Sequence, residues 1–205
     1  MTWTGKPARV DASGDAPINY REALAWLYSL QRFGIKLGLE NIHRLMAELS
    51  RSGGVQAAVG DLGIALLCKV IHVAGTNGKG SVCAMIDSIC RAQGYRIGLF
   101  TSPHLVTFRE RIRVNGEMVS EDAAAYGLTT IRNLVADWPS HPTFFEVTTA
   151  LALKCFSEAN IDVAILETGI GGRLDATNAI QSDVSVITQI DFDHKEWLEI
   201  GRAHV

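Results

Sequence analysis

The sequence predicts an α/β fold built on a doubly wound, largely parallel sheet. Short apolar runs rich in valine and isoleucine alternate along the chain with segments of helical spacing. The first of these runs passes through a glycine-rich loop straight into a helical segment. Because the runs are nearly apolar throughout, they are typical of parallel strands that helices cover on both faces.

The predicted elements follow one another in a regular order. Helical spacing without breakers predicts helices over residues 20–30, 41–51, 82–92, 121–135 and 144–159. Apolar runs predict buried strands over residues 69–74, 96–100, 162–166 and 184–190. Residues 108–114 and 117–119 flank Asn115-Gly116, a strong two-residue turn signal, and therefore predict a β-hairpin.

Length and charge narrow the class of protein. The 205 residues are 47% hydrophobic and 20% charged, enough for a buried core in one large domain or one and a half. The 19 basic and 22 acidic residues are interspersed and give a net charge of −3, which offers no surface for nucleic acid or an anionic membrane. The polar segment 1–19 lacks the apolar centre of a signal peptide, and no apolar run approaches the ~20 residues that span a bilayer.

The cysteines indicate a reducing compartment. They lie in apolar strand or helix patterns without the spacing of metal ligands, at Cys68, Cys83, Cys90 and Cys155. Small buried thiols of this kind pack like apolar side chains. We therefore expect four reduced thiols in a cytoplasmic protein.

The most informative motif is the loop GTNGKGS at residues 75–81. Its three glycines let backbone amides turn toward an anion, and the start of the next helix adds a partial positive charge. Lys79 brings a full positive charge, and Ser81 brings a hydroxyl within reach of a metal. Gly80 separates these two residues, so the loop departs from the Walker A pattern GxxxxGK[ST]. A glycine-rich turn with an exposed lysine is the alternative, but the strand–loop–helix context favours a triphosphate site.

Polar residues also follow the ends of the other predicted strands. Ser102 and His104 follow the second strand, Glu167 follows the third, and His194 follows the fourth. Because ligands collect at the carboxyl ends of parallel strands, we expect these residues to surround the phosphate loop. A hydroxyl and a carboxylate beside a triphosphate suit Mg²⁺, whereas an imidazole is a poor ligand for so hard a cation.

Simpler interpretations stay open for several residues. On chemistry alone His194 is equally well explained as a solvated loop histidine, and His104 either lines the site or caps its turn. His72 lies inside the first strand and is expected to pack in the core. Asp175 and Asn178 fit the role of turn formers.

Five motifs in this order closely resemble folylpolyglutamate synthase/dihydrofolate synthase, a family within the wider Mur-ligase group. They are GTNGKGS at 75–81, TSPHL at 101–105, FE at 145–146, ETGIGGRLDATN at 167–178 and DH at 193–194. The resemblance extends from about Tyr20 to Leu198. The second and fourth motifs distinguish this family from the cell-wall Mur ligases, which share mainly the phosphate loop. The resemblance implies a sheet of the P-loop NTPase or Mur-ligase central-domain type.

The resemblance implies ATP-dependent amide-bond synthesis with ATP and Mg²⁺ as cofactors. The carboxylate of a dihydropteroate or reduced folate attacks the γ-phosphate of ATP, and the amine of L-glutamate then displaces phosphate from the acyl phosphate. Only small molecules are expected as partners, and the full-length protein is expected to be a monomer. The sequence does not distinguish addition of the first glutamate from extension of a polyglutamate tail.

The resemblance also assigns roles to individual residues. The nucleotide would be bound by the loop residues Gly75, Thr76, Asn77, Gly78, Lys79, Gly80 and Ser81, with Lys79 also catalytic. The family's magnesium ligands match Ser102, Glu167 and His194, to which the loop adds Ser81; Glu167 and His194 also count as catalytic. Substrate contacts are expected at Lys36, Leu37, His104, Thr143, Phe144, Phe145 and Glu146. One of the two phenylalanines would lie against the flat pterin ring, and ordinary helix packing is the alternative for both.

The end of the chain departs from the family. Family members continue past Asp193-His194 into a lysine-bearing segment and a second domain. Residues 199–205 match no such continuation and resemble translated library-adapter sequence. We therefore expect residues 20–198 to be a truncated ATP-binding domain, residues 199–205 to be non-native and the C-terminal domain to be absent. Such a fragment is expected to be inactive alone, since nothing would exclude water from the acyl phosphate.

Two other functions stay open at this point. One is a Mur-type ligase that joins an amino acid to a cell-wall precursor. The other is a nucleotide-binding fragment without catalysis, which predicts that Glu167→Ala leaves ATP affinity unchanged. Under either enzyme interpretation, Lys79→Ala is expected to abolish nucleotide binding.

Overall fold

The computed structural model describes residues 18–36, 38–60 and 63–191. Its helices are α1 (Tyr20–Ser29), α2 (Glu40–Arg51), α3 (Lys79–Ala92), α4 (Glu121–Leu134) and α5 (Phe144–Ala159). Its strands are β1 (Ala57–Gly60), β2 (Gly63–Leu66), β3 (Lys69–Ala74), β4 (Ile97–Phe100), β5 (Ile112–Val114), β6 (Glu117–Met118), β7 (Val163–Glu167) and β8 (Val184–Ile187). Short 3₁₀ helices occupy Leu30–Phe33, Phe108–Arg111 and Ala176–Ala179.

Six of the strands form one mixed sheet in the order β6-β5-β4-β7-β3-β8. The four strands β4, β7, β3 and β8 run parallel to one another, and β5 and β6 add an antiparallel edge. The predicted largely parallel sheet is therefore confirmed. Strands β1 and β2 form a separate antiparallel hairpin that the sequence analysis missed. Each has four residues, AAVG and GIAL, in which alanine and glycine give little strand signal.

Helices cover both faces of the sheet. In β7 the side chains of Ala164 and Leu166 join the larger core beneath α1, α2, α4 and α5. The intervening Val163 and Ile165 face the other way and pack in a second cluster with Cys83 of α3. Because a strand alternates its side chains between two covered faces, it must be apolar at every position. This confirms the predicted doubly wound arrangement.

Helix α5 packs against the centre of the larger core and starts at a capping box. The Thr143 hydroxyl accepts a hydrogen bond from the Glu146 amide at 3.2 Å, and the Glu146 carboxylate accepts one from the Thr143 amide at 2.7 Å. A capping box satisfies two amides that the first turn of a helix leaves free. Asn160 ends the helix in the left-handed conformation with φ 48°. These two caps fix the position of the strand that follows.

Three predicted boundaries differ from the structure by more than one residue. Helix α3 starts at Lys79 instead of residue 82, because Gly78 caps it from the left-handed region with φ 84°. Strand β8 ends at Ile187 instead of residue 190, because the following residues turn to bond the phosphate loop. Residues 108–111 form a 3₁₀ turn instead of a strand, since a capping box with Thr107 starts a turn there. The predicted Asn115-Gly116 turn is confirmed, with φ 53° and 83°.

The cysteines and the helices bear on the class of protein. All four cysteines are free thiols; Cys83 and Cys155 are buried, and Cys68 and Cys90 are partly buried. In the part of the chain that the structure describes, no helix combines the length and the hydropathy needed to cross a bilayer.

Gly98 in β4 leaves no room for a side chain. A Cβ atom there would lie 2.6 Å from Cδ1 of Phe156 and 2.7 Å from Cδ1 of Ile161. We therefore expect Gly98→Ala to lower the free energy of unfolding by about 1–3 kcal/mol through overpacking. Gly60 is the matched control, since a Cβ atom there meets nothing within 4 Å. Gly60→Ala is therefore expected to leave the free energy of unfolding unchanged. Urea unfolding measures both variants, and equal midpoints would contradict this packing.

Candidate nucleotide and metal site

The phosphate loop connects β3 to α3 through backbone that only glycine can supply. Gly75 has φ 131°, and a Cβ atom there would lie 2.1 Å from the hydroxyl oxygen of Thr188. Gly78 has φ 84° and a Cβ atom there would meet no atom within 4 Å. The first glycine therefore permits a close approach to the chain after β8, and the second leaves the mouth of the loop open.

The two halves of the loop use their amides differently. The amides of Thr76 and Asn77 donate to the carbonyl of Gln189 at 2.8 and 3.3 Å. The amides of residues 79–81 open helix α3, and the first amides of a helix have no acceptor inside it. These later amides, together with the helix dipole, form the anion-binding part of the loop.

Lys79 places its charge inside the loop. Its ammonium donates to the carbonyl oxygens of Gly75 at 2.8 Å and Thr76 at 3.2 Å. Ser81 lies two residues further along and is exposed, so its hydroxyl is accessible at the mouth of the loop. The lysine therefore lies beside the free amides of α3 and adds to their positive potential.

Glu167 comes from the end of β7 and faces the same loop. It is only 4% exposed, and its Oε2 accepts a hydrogen bond from the Ser102 amide at 2.9 Å. Its Oε1 lies beside the loop, since a Cβ atom added to Gly80 would be 3.6 Å away. The structure thus brings Glu167, Ser102 and the phosphate loop together at the carboxyl ends of three parallel strands.

The electrostatic surroundings of Glu167 suit a bound cation. Burial raises the pKa of this carboxyl group, and the Ser102 amide, Lys79 and Arg111 oppose that rise. The neighbouring hydroxyl of Thr168 is buried without a hydrogen-bond partner. Among the described residues, no three or more His, Cys, Asp or Glu side chains are grouped so that they could hold a metal ion. One carboxylate with hydroxyl groups nearby fits Mg²⁺ that shares its coordination with phosphate oxygens and water.

The two phenylalanines at the start of α5 have different surroundings. Phe145 packs against Phe100 with 5.8 Å between ring centroids and lies under Gly169, where a Cβ atom would be 2.6 Å from its ring. Phe144 stacks on Tyr28 with 5.6 Å between centroids and an interplanar angle of 20°. Both rings are partly buried against the larger core: Phe145 lies beneath the loop after β7, and Phe144 lies in an aromatic cluster beside His104.

His104 lies in that cluster with a defined protonation state. Its Nδ1 accepts a hydrogen bond from Nε of Arg111 at 2.8 Å, and its Nε2 is 3.3 Å from the Tyr28 hydroxyl. Because a guanidinium can only donate, the imidazole proton is on Nε2. Burial and then the Arg111 charge lower the pKa of His104, so the ring is neutral. Sequence analysis missed both partners, Arg111 and Tyr28, because no local pattern singles them out.

The other predicted substrate residues have structural contacts. Lys36 donates to the His141 carbonyl at 3.1 Å and so ties the first 3₁₀ turn to the loop before α5. Thr143 and Glu146 are buried and bond one another in the capping box. Their substrate contacts stay predictions. Leu37 and His194 lie outside the described residues, and their roles stay predictions as well.

The sequence matches the Mur ligase middle domain over residues 73–199, more than half of the chain. The chain belongs to that family. A dihydrofolate synthase/folylpolyglutamate synthase of Escherichia coli is 44% identical over 182 residues, which are 89% of this chain and 40% of that protein. A protein of the same name in Bacillus subtilis is 38% identical over 180 residues, which are 85% of this chain and 39% of that protein.

Solved structures resemble this Mur ligase domain in the same way. Escherichia coli FolC in complex with DHPP and ADP superposes with a TM-score of 0.74 at 40% identity, covering 89% of this chain and 40% of that one. The bifunctional synthase of Yersinia pestis complexed with AMPPNP and Mn ion gives a TM-score of 0.73 at 38% identity, covering 90% and 41%. The resemblance inferred from the five motifs is confirmed. The chain spans about two-fifths of the length of the relatives it matches.

A buried hydrogen-bond chain fixes the loop that follows Glu167 in this Mur ligase domain. Nε2 of His72 is 2.7 Å from the Thr177 hydroxyl, which donates to Asp175 at 2.6 Å. The other oxygen of Asp175 accepts the amides of Gly169 and Ile170, each at 2.9 Å. His72 is therefore a packed core residue, as predicted, and Asp175 is a turn former that also ties the loop to β3.

His72 is expected to make stability depend on pH. Burial lowers its pKa to about 4, whereas the ordinary value is 6.5. Between these values the unfolded chain binds more protons, so stability is lost as pH falls from about 6.5 to about 4. The loss attributable to this group approaches about 3 kcal/mol.

Urea unfolding across that pH range measures the effect. His72→Gln removes the titrating group and is expected to flatten the pH dependence, although it lowers stability at neutral pH. His141→Gln is the matched control and is expected to keep the wild-type slope. An unchanged slope in His72→Gln would show that the loss arises elsewhere.

Proposed function

We propose that this domain binds ATP with Mg²⁺ and activates the carboxylate of a dihydropteroate or folate for addition of L-glutamate. The observation that supports this best is the meeting of Glu167, the Ser102 amide and Gly80 at the start of α3. A carboxylate that attacks a triphosphate is one anion attacking another, so the reaction needs charge neutralisation and positioning. The site offers a helix N-terminus, a lysine and a buried metal ligand for that purpose.

Each type of residue would have its own role at the site. The amides of residues 79–81 and the Lys79 ammonium would bind the β- and γ-phosphates. Glu167 and the hydroxyls of Ser81 and Ser102 would hold Mg²⁺, with His194 as the remaining predicted ligand. When bound, the metal withdraws charge from the phosphate oxygens during transfer. The buried chain from His72 to Asp175 keeps the strand ends aligned while phosphate is transferred.

The relatives support the choice of ligands. The Escherichia coli structure holds DHPP and ADP, and the Yersinia pestis structure holds AMPPNP and Mn ion. We propose that this chain also binds a nucleotide, a divalent metal and a pterin substrate, because the matching residues are present and lie next to one another. From its charge and free thiols we also propose a cytoplasmic protein that binds small molecules and no nucleic acid or membrane. From the family resemblance we propose that the full-length protein is a monomer.

Two alternatives have weaker support. A Mur-type ligase of cell-wall synthesis would share the phosphate loop, but the segments TSPHL and ETGIGGRLDATN favour the folate branch. Binding of dihydropteroate in preference to a muropeptide precursor, in the presence of an ATP analogue, separates the two. A nucleotide-binding fragment without catalysis does not account for the burial of Glu167 beside the loop.

Lys79→Ala is expected to abolish ATP binding, because it removes the only full positive charge that the described part of the phosphate loop contains. The affinity loss should exceed about 100-fold, as expected when a charged hydrogen-bonding group is removed. Isothermal titration of the chain with Mg²⁺ and ATP measures it. Lys69→Ala is the matched control, since Lys69 lies at the other end of β3 and pairs with Asp183. Comparable losses in both variants would count against a specific role for the loop.

Glu167→Gln is expected to reduce the effect of Mg²⁺ on ATP affinity. The amide keeps the shape of the side chain but not the charge that a hard cation requires. Titrations with and without Mg²⁺ give the ratio of affinities, which should fall about tenfold or more in this variant. Glu48→Gln, at a surface ion pair with Arg44, is the control and should behave as wild type. An unchanged magnesium effect would favour the non-catalytic alternative.

A further inference from the structure

Arg111 is a buried arginine that forms no ion pair with any residue in the described part of the chain. It is 8% exposed, and none of the ion pairs among the described residues includes it. By contrast, Arg44, Arg91 and Arg96 each pair with a carboxylate. Burying an unpaired charge costs free energy, so buried guanidinium groups normally have an anion beside them.

The contacts of Arg111 fix its guanidinium but leave most of its donors unused. Its Nε donates to His104, and its central carbon lies 5.3 Å from the ring centroid of Phe144. No described residue accepts a hydrogen bond from its two terminal nitrogens. A guanidinium held in this way is a preorganised fork that matches a carboxylate in two parallel hydrogen bonds.

The nearest acid in the sequence does not neutralise Arg111. Glu110 uses both carboxylate oxygens to accept the amides of Leu105, Val106 and Thr107 at 2.7–2.9 Å. These three bonds lower the pKa of Glu110 and engage it in shaping its own loop. Glu110 is therefore not the counter-ion of Arg111, and no other described carboxylate forms an ion pair with it.

Arg111 lies next to the candidate metal ligand. Its carbonyl accepts the Thr101 amide at 3.0 Å, and the next residue, Ser102, donates its amide to Glu167. Burial raises the pKa of Glu167 and lowers that of Arg111, and the charge of each residue opposes the shift of the other. They are nevertheless too far apart for an ion pair within 4.0 Å. A ligand group on Arg111 would therefore lie close to the phosphates and the metal.

We propose that Arg111 binds the carboxylate of the acid substrate and holds it for attack on the γ-phosphate. This inference rests on the proposed function and adds a substrate-binding residue to it. One carboxylate oxygen forms the new bond to phosphorus while the bond between the γ-phosphorus and its bridging oxygen breaks, and ADP leaves. The guanidinium stays protonated throughout and offsets the repulsion between carboxylate and triphosphate. The phosphates themselves are bound by Lys79 and α3, which leaves Arg111 for the acid.

The test compares dihydropteroate with its primary carboxamide, which has the same rings but no charge. Titrations of the chain in the presence of Mg²⁺ and AMPPNP give the ratio of the two affinities. Wild type is expected to prefer the acid by about 10- to 100-fold, as for hydrogen bonds to a charged group. Arg111→Gln is expected to abolish that preference and leave carboxamide affinity unchanged. Arg111→Lys should keep part of it, because the charge remains without the fork.

Arg109→Gln is the matched control, since Arg109 donates to the Val119 carbonyl and should keep the wild-type ratio. An acid preference that survives in Arg111→Gln, or is missing in wild type, overturns the inference. An equal loss of acid and carboxamide binding in Arg111→Gln also overturns the inference, because Arg111 would then only pack against the ring. Binding of AMPPNP alone is measured separately, and its absence in wild type contradicts the proposed function itself.

Discussion

The register of three parallel strands determines everything else in the site. Val73 of β3 lies opposite Glu167 of β7, and Phe100 of β4 lies opposite Leu166 of the same strand. Strand β3 ends one residue after Val73 and β4 ends at Phe100, so both chains leave the sheet near the level of Glu167, one into the phosphate loop and one toward Ser102. A slip of one residue would turn the Glu167 side chain to the other face of the sheet. Helices packed on both faces prevent such a slip.

Charged side chains of both signs lie at this edge of the sheet. Lys79 and Arg111 are cationic, Glu167 is anionic, and all three are removed from bulk water to different extents. In a medium of low polarity such groups interact more strongly with a ligand than they would at the surface. A metal–triphosphate and an organic acid together would bring one cation and several anionic oxygens into this space. The site therefore has complementary groups for both kinds of charge, which suits the transfer of phosphate between two anions.

Much of the fold could be predicted because its signals are local. Three of these signals determine the structure of only a few neighbouring residues each: the apolar runs, the glycines of residues 75–81 and the Asn115-Gly116 turn. Strands β1 and β2 were not predicted, because alanine and glycine have little preference for strands. The importance of Arg111 was invisible for a different reason. It depends on a contact with His104 across a turn and on the fact that no described carboxylate forms an ion pair with Arg111, which only three-dimensional packing reveals. The choice between Phe144 and Phe145 likewise depended on the direction in which each ring points.

The close approach of Gly75 to Thr188 has a mechanical consequence. The two residues belong to neighbouring strand ends, and the amide of Thr188 also donates to the Ala74 carbonyl at 2.8 Å. The phosphate loop and the chain that leaves β8 are thus packed directly against one another, with the Thr188 side chain in the space that Gly75 leaves free. The Thr188 hydroxyl also donates to the Ala74 carbonyl at 3.2 Å, so a movement of the loop would also displace Thr188 and the backbone after β8.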